Sequence, residues 1–182
     1  MKRILCVIVA SIMFCVVQAQ ISRTIYDVTL GSEQETVKST LNKKGISFSV
    51  QDSKFGFCLY IGRPYFAGIY WDFMLVTFDE NKVSSVFFNK QRTDMVDMVA
   101  LMQEAVQLLD NLSQKYSQYE DPQTGFTKKG ENFESKYKLS DDLTEVLFAC
   151  EFNKYDTSSM SLMYLDKRML QNMNKKKAID EL

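Results

Sequence analysis

The chain contains no histidine. That absence removes Ser-His and Cys-His nucleophilic catalysis, the commonest general base near neutral pH and the commonest transition-metal ligand. Cysteine is scarce as well. Of the four, Cys6 and Cys15 fall in the first 19 residues, and Cys58 and Cys150 stand far apart with no Cys-x-x-Cys, so zinc has no ligand set. No Asp-x-Asp-x-Asp-Gly calcium loop and no phosphate-binding loop occur. No stretch rich in Pro, Gly or Ser divides the chain. Charge of one sign is missing too: 22 basic residues face 23 acidic ones, which leaves no electrostatic footprint for nucleic acid. The expectation is a protein without catalysis, metal or cofactor.

A few strings imitate active-site motifs. Ser135-Lys136-Tyr137-Lys138 matches Ser-x-x-Lys, but it sits in an alternating strand pattern where the motif requires a helix start. Asp79-Glu80 and Asp141-Asp142 are paired carboxylates at predicted turns, where acidic residues are solvated and nothing separates their pKa values. Asn111-Leu112-Ser113 is a glycosylation triplet inside a strong helical pattern.

The first residues are built for export. Lys2 and Arg3 precede a largely apolar run from Ile4 to Val17, and Val17-Gln18-Ala19 supplies the small residues of a cleavage site. The run is short against the roughly 20 residues a spanning helix needs, so cleavage after Ala19 is expected rather than an anchor. Phe14, beside Cys15, occupies a position where lipoprotein signals need a small residue. The last three residues, Asp180-Glu181-Leu182, match an ER-retention ending but lack its basic residue. Residues 1–19 are thus read as a signal peptide and 20–182 as one domain in the periplasm or outside the cell, with no transmembrane segment after cleavage.

The remaining chain alternates between two periods. Ser32 and Glu35 spell a capping box for a short helix through Val37 and Leu41, closed by Gly45. From Ile46 to Asn89 the period is 2. Ile46, Phe48 and Val50 form one strand, and Phe55, Phe57, Leu59 and Ile61 a second. A long run from Tyr65 to Phe78 reads as a strand covered on both faces, with Gly68 as a bulge or bend. A turn at Asp79–Lys82 leads to the return strand, Val83–Asn89. Met95, Met98, Met102, Ala105, Leu109, Leu112 and Tyr116 then define a long amphipathic helix. Asp121–Gly125 and Lys128–Gly130 read as loop, followed by three strands (through Tyr137, through Val146–Phe152, through Met160–Tyr164) and a terminal helix docking Leu170, Met173, Ile179 and Leu182. Lys175–Lys177 read as a solvated helix face. The fold class is α+β: antiparallel meanders packed against helices, in an order that suggests a pseudo-duplicated helix-plus-three-strand unit with one sheet and one core. Cys58 lies on the Gly56–Tyr60 side of its strand and Cys150 on the side of Val146 and Phe148, so two reduced thiols are expected.

Two segments carry a resemblance. Leu30-Gly31-Ser32-Glu33-Gln34-Glu35-Thr36-Val37-Lys38-Ser39-Thr40-Leu41 resembles the first helix of BamE/SmpA-type envelope domains, and Val76–Val86 resembles the hairpin that follows it. The β-lactamase-inhibitor protein fold uses a similar helix-plus-sheet unit in tandem, and exported Bacteroidetes proteins of unassigned function are similar along the closing tyrosine strand and acidic-leucine tail. The chain lacks the lipidated cysteine and the Gly-Pro of the BamE pattern. The resemblance implies a non-catalytic partner-binding module.

One segment exceeds what packing needs. Tyr60 to Phe73 gathers six aromatic residues around Arg63, Pro64 and Gly68. Two readings stand: a strand buried between sheet and helix, or a partly exposed aromatic platform of the residue types enriched at binding hot spots. The candidate contact residues for an unknown protein partner are Arg63, Tyr65, Tyr70 and Trp71. The alternative function is carriage of an apolar small molecule between the Met-rich helix and the aromatic sheet, which requires a cavity of several hundred Å³.

Overall fold

The computed structural model describes residues 20–53, 56–119, 125–129, 132–153, 157–169 and 171–172. The expected signal peptide, the loop expected over 121–124 and the expected docking residues Leu170, Met173, Ile179 and Leu182 lie outside them. The described residues form an α+β fold around one antiparallel eight-stranded sheet. A small N-terminal hairpin, β1 (Thr24–Ile25) and β2 (Val28–Thr29), precedes helix α1 (Gln34–Lys43). Strands β3 (Ser49–Ser53) and β4 (Gly56–Gly62) follow, then a minor hairpin, β5 (Tyr65–Phe66) and β6 (Ile69–Tyr70), then β7 (Phe73–Asp79) and β8 (Lys82–Arg92). Helix α2 (Met95–Tyr116) leads to β9 (Gly125–Lys129), β10 (Asn132–Ser140), β11 (Thr144–Phe152) and β12 (Ser158–Asp166).

The strand order is β3-β4-β7-β8-β12-β11-β10-β9. Each half is a helix followed by four strands, laid outermost first, and the two final strands pair at the centre. The repeat unit therefore has four main strands where three were expected. The extra strand in the second half is β9, whose Gly125 and Lys128–Lys129 read as loop. It is a polar edge strand that exists through its pairing with β10, a long-range fact its own sequence does not carry.

Cross-strand register sorts the side chains into two faces. Leu59, Val76, Val86, Tyr164, Val146 and Leu139 stand in one row, and Ile61, Met74, Phe88, Leu162, Phe148 and Tyr137 in the next. All of them are buried. Both helices cover this face: α1 through Val37 and Leu41, and α2 through Leu101, Ala105, Leu108, Leu112 and Tyr116. A bulge lets Val83 and Val86, three apart, both reach it, because Ser84 has no counterpart between the Thr77–Ser85 and Phe78–Val83 pairs.

Three expectations give way to local chemistry. The capping box does not form: the Ser32 hydroxyl donates to the Thr29 carbonyl (2.6 Å), and Glu33 is the N-cap residue without a side-chain cap bond. The true cap is on α2, where the Asp94 carboxylate accepts from the Asp97 amide at 2.8 Å. The run from Tyr65 to Phe78 is no single strand either. Ala67 and Gly68, at φ 54° and 85°, form a two-residue turn of the primed type between β5 and β6. The N-terminal segment, which carried no expectation, is core: Ile21, Ile25, Val28 and Leu30 are buried.

Two part-buried ion pairs tie the layers together. Lys90, in the core-facing row of β8, reaches Glu104 on α2 at 2.7 Å. Asp166, at the end of β12 with a fully buried side chain, accepts from Arg23 and from the Arg168 backbone amide (3.0 Å), so it clasps the N-terminal hairpin. Gly31, at φ 82°, passes close to that pair: a Cβ there would stand 3.3 Å from the Asp166 carboxylate.

Candidate functional site

The β5–β6 hairpin separates the four candidate contact residues. Alternation sends Phe66, Ile69 and Trp71 inward and Tyr65 and Tyr70 outward. Trp71 is 1% exposed; its indole N–H donates to the Phe66 carbonyl at 3.1 Å and its ring lies 5.5 Å from Phe88. Trp71 is thus a core residue, and its side chain is withdrawn from any surface. Tyr65 and Tyr70 are 55% and 68% exposed and pack on each other at 4.6 Å between centroids. Arg63, also exposed, holds a left-handed φ of 51° while its amide donates to the Asp72 carbonyl. Both readings of this segment are therefore partly realised: a buried indole beneath an exposed tyrosine pair.

The sheet face opposite the helices carries a second apolar surface. Tyr60, Leu75, Phe87, Met163 and Leu147 form a row across five strands. Phe73 stacks on Tyr60 at 5.7 Å and lies 6.1 Å from Phe87. All six are half-buried by their neighbours, and both long helices pack on the other face. The sequence hid this surface because it is assembled from one or two residues on each of five strands. Beside it, the Asn89 carboxamide oxygen is buried with no hydrogen-bond partner.

A cavity of about 360 Å³ opens between the β5–β6 turn, the N-terminal hairpin and the last turns of α2. Ile25, Phe66, Ala67, Leu108 and Leu112 give it apolar walls, and Ser22, Thr24, Asn111, Lys115, Tyr116 and Tyr164 its polar points. A more polar recess of about 560 Å³ lies near the Asp166 clasp, bordered by Arg23, Tyr119, Ser140, Asp141, Asp142 and Lys167. Its charges serve the fold: the Asp141 carboxylate accepts from the Ile21, Leu143 and Thr144 amides, and Lys167 donates to Ser140 and the Asp141 carbonyl.

No protein-family model matches the chain, and no curated protein or solved structure is significantly similar to it.

The titratable groups are arranged for structure. Cys58 and Cys150 are free and buried on opposite faces. Burial pushes the Cys150 thiol up to about 11, against opposing hydrogen bonds from Ser135, which disfavours the reactive thiolate. Burial, with the Tyr116 phenol beside it, holds the Tyr164 hydroxyl protonated far above its ordinary range. Burial works against the Asp166 carboxylate, yet hydrogen bonds from Arg168 and Arg23 outweigh it and leave its pKa below the ordinary value. Among the described residues no cluster of three His, Cys, Asp or Glu is placed to hold a metal, and no helix is long and apolar enough to cross a membrane.

Proposed function

We propose that this chain is an exported, non-catalytic module that binds another protein in the periplasm or outside the cell. The observation that carries the reading is the Tyr65–Tyr70 pair. Two large amphipathic rings are held in solvent by a two-residue turn, while the inner side of the same hairpin is fixed by Trp71 and Phe66. Rigid exposed tyrosines offer contact area at low entropic cost, and Tyr and Arg are enriched at binding hot spots. Arg63, exposed beside Tyr65 in the chain, supplies the neighbouring cation. Export rests on the charged start, apolar run and Val17-Gln18-Ala19 of the sequence.

A photo-crosslinking residue at position 70, expressed in the native host, tests it. A discrete protein adduct at position 70 that is absent at Asp110, an exposed position on α2, supports the reading. Equal adducts at both positions, or none at either, overturns it. An intact mass that includes residues 1–19 overturns export alone.

The cavity beside α2 favours a second reading, carriage of a small apolar molecule. It borders the last turns of the long helix, and its volume falls at the lower end of the range typical of ligand pockets.

A further inference from the structure

We propose that the cavity between the β5–β6 turn and α2 binds a small monocarboxylate with an apolar body. The inference rests on the small-molecule reading and adds the chemistry of the ligand's head.

The cavity is asymmetric. One part is walled by Ile25, Phe66, Leu108 and Leu112. Phe66 is held there by a near-parallel stack on Phe88, 4.7 Å between centroids and 7° between planes, and by an edge contact with Tyr164 at 6.3 Å. That wall is preorganised: a ligand does not have to order it. The polar points are Tyr116, Tyr164, Asn111 and Lys115, together with the small hydroxyls of the N-terminal hairpin.

The balance of those groups selects the head. Tyr116 and Tyr164 are largely buried as residues, and no hydrogen bond among the described residues engages either hydroxyl. Both residues border the cavity and their hydroxyls are not sealed from it, so both are free to donate to an acceptor placed there. The Tyr164 phenol is protonated at neutral pH, as tyrosines ordinarily are, and burial moves its ionisation higher still, so it presents a donor. Asn111 can offer its amide N–H. Lys115, whose ammonium stands 5.0 Å above the Tyr116 ring, supplies the only formal charge on the lining, which contains no Asp or Glu. Several donors, one cation and no anion recognise an acceptor with one negative charge. A cationic head would meet Lys115 and find no counter-ion. An uncharged head would leave the ammonium unused.

Volume limits the body. About 360 Å³ corresponds to roughly a dozen water volumes, enough for one aromatic ring or a medium chain together with the head. A long acyl tail does not fit.

The test titrates the protein, purified from its host and dialysed, with 3-phenylpropionate and octanoate, and with 3-phenylpropanamide as the uncharged control. Calorimetry and amide NMR shifts are the readouts. We expect at least one acid to bind at or below about 1 mM, with shifts at Leu112, Tyr116 and Ala67, and the amide to bind about tenfold more weakly, the loss of one charge-assisted contact. Lys115→Met, at an exposed position that does not threaten folding, should weaken the acid about tenfold and leave the amide unchanged. Equal affinity of acid and amide, or of wild type and Lys115→Met for the acid, overturns the anionic head while leaving a small-molecule cavity. Failure of all three probes to bind overturns both. Tight binding with shifts elsewhere also overturns this site.

Discussion

Trp71 offers the sharpest check on how the aromatic segment is divided. Composition made Trp71, Tyr65 and Tyr70 equivalent; the fold makes them opposites. Trp71 is 1% exposed, packs against Phe88 and satisfies the Phe66 carbonyl. Its truncation to alanine removes a whole buried aromatic side chain in a place where Phe66 and Phe88 are already stacked and cannot both collapse into the void. Such changes cost about 3–5 kcal/mol. Trp71→Phe keeps most of the ring but leaves the Phe66 carbonyl without its donor, for about 1–3 kcal/mol. Tyr65→Ala and Tyr70→Ala remove rings that are more than half in water and lose little beyond their mutual contact, about 0.5–1.5 kcal/mol. The assay is urea unfolding followed by far-UV circular dichroism, since the only tryptophan is lost in two variants. With a slope of about 2 kcal/mol/M, Trp71→Ala should lower the midpoint by roughly 2 M and either tyrosine variant by well under 1 M. A Trp71→Ala midpoint within about 0.3 M of Tyr70→Ala, at unchanged slope, would refute the inward placement of the indole.

Two further expectations follow from the buried polar groups. Because the Asp166 pKa is lowered by folding, the unfolded chain binds the proton more readily; the stability contribution is full above the unfolded value near 3.8 and is lost as pH falls from there through the folded value. Asp166→Asn should therefore cost about 2–3 kcal/mol at pH 7, with the gap to wild type narrowing below pH 3.8; a gap independent of pH would contradict the clasp. The two thiols should remain reduced and shielded. Cys58 and Cys150 lie on opposite faces and four strand positions apart, roughly 19 Å at about 4.8 Å per strand, beyond disulfide reach. Alkylation at pH 8 should add two groups after denaturation and almost none before it, and a mass 2 Da low after purification would defeat this.

What the sequence made legible was whatever one element decides alone. The bounds of α2 match the expectation from Met95 to Tyr116 because seven apolar residues spaced three and four apart leave no other period. The strands around Val146 and Met160 were clear for the same reason, and so were the opposite faces of the two cysteines. Errors arose where long-range partners decide. Ser32 reads as a cap, but Thr29 competes for its hydroxyl. The polar strand Gly125–Lys129 is a strand only beside β10. Lys90 is buried because Glu104 on another element faces it. Tyr65 to Phe78 is aromatic on both alternating sets, so period alone could not say which rings face in. The cavity is beyond any local signal, since its lining comes from the N-terminal hairpin, the β5–β6 turn, α2 and β12.

The order of the sheet bears on why both helices lie on one face. When two helix-plus-four-strand units join through their last strands, the local two-fold between β8 and β12 runs perpendicular to the sheet. A rotation about that axis keeps each face on its own side, so both helices cover the same face and neither covers the opposite one. Nothing in that geometry requires the uncovered side to be apolar; antiparallel sheets ordinarily place polar residues there. Toward the edges this chain follows that rule, with Gln51, Lys136 and Glu151 outward. At the centre it departs, placing Tyr60, Leu75, Phe87, Met163 and Leu147 in register, with Phe73 packed beside them. Serine or threonine at these positions would keep the strands and leave the core untouched, so folding alone does not account for the choice. Under the proposed function, this row, built jointly by five strands, is a second surface that a partner would contact.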